Sequence, residues 1–250
     1  VKRLIIADAH VGQRDGDAAD MVAFVRRAGT LGIGELIYLG DAFQYLLGMS
    51  KFWTSAVDQV LESWQELRRE GVRVVLVEGN RDFFLDHPEL ADMVDWTGRC
   101  YEFRAGSKRY RLIHGDRVNL RDLQYQFWSR ISKSSLARLW ARLLPRPIAV
   151  AIVRGMEARL ATTNMRFRYR TPVKALRKAA ARAWNEGIDV ILWGHFHTSW
   201  EHSEGDRMAM VVPDWLENTR AVAVHPDGSW SWVEAEASQQ SESFDGGDHP

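Results

Sequence analysis

Six short apolar runs recur along this 250-residue chain, each closed by polar residues or glycine: RLIIAD at 3–8, ELIYLGD at 35–41, VRVVLVEGN at 72–80, RYRLIHGD at 109–116, DVILWGH at 189–195 and MAMVVPD at 208–214. Continuous apolar runs of four to six residues fit strands buried on both faces, so the fold must supply a covering layer on each side. Between the early runs lie segments of helical period. Asp20 to Ala28 and Val57 to Leu67 repeat apolar residues at spacings of three and four, which predicts a βαβαβ start. The closing runs, including Thr219 to His225 and Ser229 to Val233, have no such segment between them and read as hairpins. The expected class is α/β: a layered β-sheet sandwich flanked by helices.

Five of the runs end in similar polar clusters, rich in Asp, Asn and His and mostly marked by glycine. These are Asp8-Ala-His10, Gly40-Asp41, Gly79-Asn80-Arg81-Asp82, His114-Gly-Asp116 and Gly194-His195-Phe-His197. Ligands bind beyond the carboxyl ends of strands in sheets of this kind, so five such loops can build one site. Alternation along extended backbone turns Asp8 and His10 the same way, and His195 and His197 likewise, leaving Phe196 for packing. Any one of these pieces alone is more often a turn or a helix cap. Five in order are hard to ascribe to turn chemistry. Asp8, His10, Asp41, Asn80, His114, His195 and His197 together supply two carboxylates, one amide oxygen and four imidazoles. That set exceeds one ion with an open position and suits two borderline divalent cations such as manganese, iron or zinc. Two such ions against two carboxylates leave a charge of about +2, suited to a phosphate ester. Asp82 and Asp116 read as supports of these loops rather than as ligands.

The formal net charge is zero, which argues against a generic nucleic-acid binder, but it hides opposed parts. Between Arg117 and Arg170 there are 12 Lys and Arg against two Asp and Glu. This basic stretch is helix-like, and it is expected to form a lobe (117–170) inserted into a core made of 1–116 and 171–237, with 238–250 a disordered tail. Cys100 is the single cysteine, so no intrachain disulfide or multi-cysteine zinc site can form, and a reducing cytoplasm is the expected setting. The most apolar window, Pro147 to Val153, is far short of the ~20 residues that span a bilayer. It can rest on a membrane without crossing it.

The order DxH, GD, GN, H, GHxH resembles the calcineurin-like metallophosphoesterase superfamily over most of residues 4–225. The resemblance implies that Asp8, His10, Asp41 and His197 hold one ion, and Asp41, Asn80, His114 and His195 the other. Many members carry a histidine where Arg81 stands. GNRDFF, HGDRVNLRDLQYQFW and the inserted helices resemble, more narrowly, the bacterial UDP-2,3-diacylglucosamine diphosphatases of lipid A synthesis. That implies manganese-dependent attack of water on the α-phosphorus of a nucleotide-linked lipid, releasing UMP and diacylglucosamine 1-phosphate. Asn80, Arg81, His114 and His195 would then be catalytic, and Asp122, Tyr125, Asn164 and Arg166 would join Asn80, Arg81 and His195 in holding the substrate. A phosphate monoester leaves readily, so an acidic histidine is dispensable, and arginine offers a planar fork to phosphoryl oxygens. The chain departs from the family pattern in DAH for DLH, in GHFHTSW for GHTHRP, and in Arg166-Phe-Arg168-Tyr-Arg170 for a lysine-bearing segment. A related pyrophosphatase or phosphodiesterase of another lipid-linked or soluble nucleotide stays open, as does a non-catalytic adaptor, against which the complete donor set argues. In the lobe, Trp128, Ile131, Leu136, Leu139, Trp140, Leu143, Leu144, Ile148, Ile152 and Val153 either line an apolar slot for acyl chains or pack on one another. The arginines there suit an anionic membrane surface, which implies a peripheral position on the inner face of the cytoplasmic membrane.

Overall fold

Five of the six apolar runs become strands covered on both faces, and the run at 109–116 becomes a strand fully buried on one face only. The computed structural model describes residues 1–118, 133–163 and 171–234. Its first part runs β1 (Arg3–Ile6), α1 (Asp17–Thr30), β2 (Glu35–Leu39), β3 (Leu46–Leu47), α2 (Ser55–Arg69), β4 (Arg73–Val77), β5 (Asp82–Phe83), α3 (Pro88–Ala91), β6 (Trp96–Gly98), β7 (Tyr101–Ala105) and β8 (Lys108–Ile113). Two further helices follow, α4 (Ser135–Leu143) and α5 (Arg146–Thr163). The chain then continues with α6 (Val173–Asn185), β9 (Val190–Trp193), β10 (Trp200–Glu204), β11 (Arg207–Val211), α7 (Trp215–Asn218), β12 (Arg220–Val224) and β13 (Trp230–Glu234).

One sheet has the order β13-β12-β1-β2-β4-β6 and the other β10-β11-β9-β8-β7. Their inner faces meet through Ile5, Ile37, Val75, Leu112, Leu192 and Val222. The outer face of the first sheet, Leu4, Ile6, Leu36 and Val74, packs against Met21, Val25, Val60 and Trp64 of α1 and α2. The outer face of the second is covered by Leu176, Ala180 and Trp184 of α6. Helices, sheet, sheet and helix thus form the layered sandwich that the buried runs require. The central strands β1, β2 and β4 are mutually parallel, as are β8 and β9, so their carboxyl ends gather at one edge. Glu35, buried at the opposite end of β2, accepts hydrogen bonds from Arg3 (2.5 Å), Arg73 (2.5 Å) and Tyr101 (2.9 Å). It pins three strands away from the loops that carry the chemistry.

The edge elements differ from the sequence expectation. β7 alternates buried and exposed residues, and β10 is largely solvent-facing, so neither carries the continuous apolar signal of a central strand. The closing strands are not a pure run of hairpins, because β9 and β11 are parallel and α7 intervenes before β12. In the inserted stretch, α4 begins at Ser134, whose side chain caps it by accepting from Ala137 N (3.2 Å). Both helices turn their small residues inward: Ala141, Ala149 and Val153 are buried against Met49, Phe52, Phe83 and Phe84. Leu136, Leu139, Trp140, Leu143, Ile148 and Ile152 are exposed. They therefore form an outer apolar face rather than the lining of an internal slot, whereas Val153 and Leu144 pack toward the core. Trp128 and Ile131 lie outside the described residues.

Candidate metal centre

Each strand that feeds the centre stops one to four residues before its candidate donor side chains. β1 ends at Ile6, before Asp8 and His10; β2 at Leu39, before Asp41; β4 at Val77, before Asn80; β8 at Ile113, before His114; and β9 at Trp193, before His195 and His197. Seven non-glycine residues among those described have positive φ, and five of them are Asp8 (50°), His10 (47°), Asp41 (49°), His195 (69°) and His197 (50°). The expected alternation along extended backbone is therefore not what turns these side chains inward. Left-handed turns do so, at a cost on the order of 1 kcal/mol each for a residue with a Cβ. Phe196 does pack away from the centre, against the cluster beneath α6.

Hydrogen bonds lock the loops to one another. His10 N donates to Asp41 O (3.0 Å) and Asp8 N to Gly40 O (3.3 Å). Asp82 Oδ2 accepts from Asp41 N (3.0 Å) and Gly79 N (2.7 Å), Asp41 Oδ1 accepts from Arg81 N (2.9 Å), and Asp8 Oδ2 from His195 N (2.6 Å). Asp82 thus clamps the loop backbones, as its place in the sequence suggested. Glycine is required where these side chains press on backbone. A Cβ on Gly194 would lie 2.6 Å from Asp8 Oδ2, and one on Gly40 or Gly79 would collide with the His114 ring or the Asp41 carboxylate.

The imidazoles come in two pairs. His10 stacks on His197 with centroids 5.2 Å apart, and His114 meets His195 edge-on at 5.1 Å. One ligand atom each from Asp8, His10 and His197 lies within 4.8 Å of the others, and the same holds for Asp8, Asp41 and His114. Asp8 is common to both groups, whereas Asp41, the shared carboxylate implied by the resemblance, falls in one of them. Asn80 Oδ1 lies 3.0 Å from His114 Nε2 and 2.9 Å from His195 Nδ1. Asp8, His10, Asp41 and His114 are buried; Asn80, His195 and His197 are half-buried and form the open side.

The donor set fits divalent cations. Asp8 Oδ1 is buried with no hydrogen-bond partner among the described residues, a costly state for a carboxylate oxygen unless a cation faces it. The donors are hard oxygens and borderline nitrogens, the mixture that manganese, iron and zinc accept. Residues 1–199 match the family model for calcineurin-like phosphoesterases. The chain belongs to that family. It is accordingly a metal-dependent hydrolase of phosphoric esters. Curated relatives include the UDP-2,3-diacylglucosamine hydrolase of Stenotrophomonas maltophilia, 27% identical over 91% of this chain and 96% of that protein. The enzyme of the same name from Ralstonia nicotianae is 28% identical over 84% of this chain and 82% of the other.

Around the donors the phosphoesterase places groups that the sequence reading missed. Gln44, buried, accepts from Arg81 Nη1. Asp214, also buried, has Oδ2 3.8 Å from His197 Nδ1 while capping α7 through Glu217 N (3.1 Å). It closes an apolar run just as Asp8 and Asp41 do, and that was its signal. Lys133 Nζ reaches Gly79 O (2.9 Å) and Glu78 Oε1 (2.6 Å), a contact with no signature in sequence. The Arg81 guanidinium is nearly buried, its Nε 3.8 Å from Asp41 Oδ2. Asp122, Tyr125, Asn164 and Arg166 lie outside the described residues.

Charge is the remaining feature of the site. Burial disfavours the His114 imidazolium, yet the carboxylates of Asp41, Asp8 and Asp116 outweigh it and push the ring up to about 9. Both ring nitrogens then donate: Nδ1 to Leu39 O (3.0 Å) and Nε2 to Asn80 Oδ1. Burial, followed by the neighbouring His114 charge, pushes His195 down to about 4. Burial and then Asp41 push Asp82 up to about 7, and burial raises Asp8. A raised folded-state pKa stabilises fully below the unfolded value and is lost as pH climbs through the folded one. From pH 7 to 9, beyond the ranges of His195 and Asp82, His114 dominates. The melting temperature of chelator-treated protein is expected to fall across that window. Added manganese should flatten or reverse the slope, because a ligating imidazole must first shed its proton. Thermal melts at fixed ionic strength, with and without the ion, check this.

Proposed function

We propose that the protein hydrolyses the pyrophosphate bond of UDP-2,3-diacylglucosamine at a pair of manganese ions, releasing UMP and 2,3-diacylglucosamine 1-phosphate. In this reading Asp8, His10, Asp41 and His197 hold one ion and Asp41, Asn80, His114 and His195 the other. The observation that carries it is the convergence of all seven donors from five strand ends, with the imidazoles paired as two sites require. The relatives that cover nearly the whole chain, named as hydrolases of that lipid, support the choice of substrate. Two divalent cations supply the positive charge that a diphosphate needs and activate water as nucleophile.

The chain's own groups do the rest. Leu39 O orients the His114 ring by accepting from Nδ1, leaving Nε2 toward the centre. Asn80 and His195 sit on the open side, where a phosphoryl group enters. Arg81 is held against Asp41 and Gln44, and its nearly buried guanidinium is assigned to the phosphoryl oxygens. Asp122, Tyr125, Asn164 and Arg166 are assigned to the glucosamine phosphate by the family motif. The lobe is assigned to the membrane. Supporting that is the outer face of Leu136, Trp140, Leu143 and Ile148, with Arg142 and Arg146 exposed beside it. No helix among the described residues is long and apolar enough to cross a bilayer, so contact would be with the surface.

Three outcomes are expected. Purified protein with manganese should release UMP from UDP-2,3-diacylglucosamine far faster than from UDP-glucose; equal rates on the two would replace this reading with a soluble-nucleotide pyrophosphatase. Arg81→Lys should lower kcat roughly 100-fold, the scale of losing a phosphoryl-oxygen donor, while bound metal measured by atomic absorption stays at the wild-type level. Wild-type turnover by that variant would leave Arg81 with a purely structural role. Trp140→Glu should weaken sedimentation with anionic phosphatidylglycerol vesicles without changing the melting temperature, and unchanged sedimentation would remove the apolar face from the membrane contact.

A further inference from the structure

Among the described residues the second sheet is incompletely covered. Helix α6 packs over β9 and β11 through Leu176, Ala180, Ala183 and Trp184, and β8 lies beyond β9 in the same sheet. Tyr110 and Leu112 of β8 point into the sandwich, so Arg111 and Ile113 point outward beside the helix. Between its charged rim and the strand, α6 places Ala175, Ala179 and Ala183, one per turn. Side chains this small cannot fill the space between helix and strand. The result is a trench of about 800 Å³, floored by Ile113, Val118, Ile191 and Trp193. This lies within the volume range of small-molecule sites.

The walls are cationic on both sides, with Glu186 at the end of the helix the one acidic residue among the described lining. Lys174, Lys178 and Arg182 repeat every fourth residue along the helix rim, with Arg111 and Arg117 opposite. Arg111 is engaged by Glu102 (2.7 Å) and Glu186 (2.5 Å). Arg117, Lys174, Lys178 and Arg182 have no ion pair or hydrogen bond among the described residues. A helix whose only role was to cover the sheet would put large apolar residues, not alanines, on the side facing the strand. An apolar floor between two cationic rims matches a ligand with an apolar body and negative charge. The floor's one polar side-chain atom is the Trp193 indole Nε1, a donor with no acceptor beside it, too little to read a nucleobase, which disfavours a nucleotide. From Lys174 to Arg182 the helix rises roughly 12 Å, room for a medium-length hydrocarbon chain laid along it.

We propose that the trench between α6 and β8 binds a medium-chain aliphatic anion, with the chain on the Ile113–Trp193 floor and the carboxylate or phosphate on the helix-rim cations. The site lies on the outer face of the sheet. It is distinct from the metal centre and from the packing of α4 and α5 on the core, and it does not depend on the substrate assigned above.

The test is calorimetric titration of the manganese-loaded full chain with dodecanoate below its micelle concentration. Saturable binding near one equivalent is expected, with butyrate and dodecanol each much weaker. The double variant Lys178→Glu, Arg182→Glu should weaken dodecanoate roughly tenfold or more, as removal of two cations from an anion site implies. Ala179→Leu, which fills the trench without touching charge, should do the same. Both variants should hydrolyse bis(p-nitrophenyl) phosphate at the wild-type rate, which also reports that they fold. Dodecanol binding as well as dodecanoate would reduce the trench to an uncharged crevice, and butyrate binding as well would make it an adventitious anion site; either result overturns the proposal. So would the absence of saturable binding, or binding that survives both variants and so belongs elsewhere on the molecule.

Discussion

Three carboxylates, Asp8, Asp41 and Asp82, are buried together at the carboxyl ends of the central strands, and the architecture of the centre follows from keeping them there. Buried like charges repel, and two of the three carboxyls have raised pKa values, with burial the larger cause and the neighbouring Asp41 adding to it. The protein offsets this with backbone N–H groups. Asp41 N and Gly79 N turn onto Asp82, Arg81 N onto Asp41 and His195 N onto Asp8. Most of these bonds tie one loop to another, so the electrostatic compensation is also what fixes the loops in register. The strained left-handed conformations of Asp8, Asp41 and His195 persist because these partners over-determine them. Divalent cations held by these loops would complete the balance and take the place of the proton that Asp41, Asp8 and Asp116 otherwise favour on His114.

The inserted helices are joined to this centre by few but specific contacts. Lys133 reaches the Gly79 carbonyl next to Asn80, and Arg138 makes a paired contact with Asp86 (2.9 and 2.6 Å). Lys51 donates to Arg142 O and Leu144 O at the end of α4 (2.8 and 2.9 Å), satisfying carbonyls that a helix terminus leaves without partners. The packing itself is of small residues on aromatics, Ala141 and Ala149 against Phe52, Phe83 and Phe84. That leaves the large apolar side chains to face outward, an arrangement at odds with an isolated soluble bundle and in keeping with an apolar surface that is covered in use.

Much of the fold was legible because its central strands are buried on both faces and so spell themselves as uninterrupted apolar runs. The edge strands β7 and β10 carry half that signal, since one face is wet, and the two-residue strands β3 and β5 carry none. The candidate donors were legible because histidine and aspartate at five strand ends in order are improbable as turn residues. Asp214 also closed an apolar run, the one signal it carried, but no glycine or histidine near it set it apart from a turn residue. Gln44 and Lys133 reach the centre across 37 and 54 residues of sequence, to Arg81 and Gly79 respectively, and no local pattern reports contacts of that separation.

From sequence alone came the candidate donors, the order in which the strands deliver them and the alternation of strand and helix, because residue type and periodicity are local properties. The direction of the donor side chains was decided only by the tertiary structure. The expected strand alternation gives way to left-handed turns at Asp8, His10, Asp41, His195 and His197, which are stable only where a neighbouring loop supplies the compensating hydrogen bond. The same holds for the lobe. Its amphipathic pattern was plain in the chain, but which face turned inward depended on the aromatic surface of Phe83 and Phe84 that it met, and that surface accommodated the alanines.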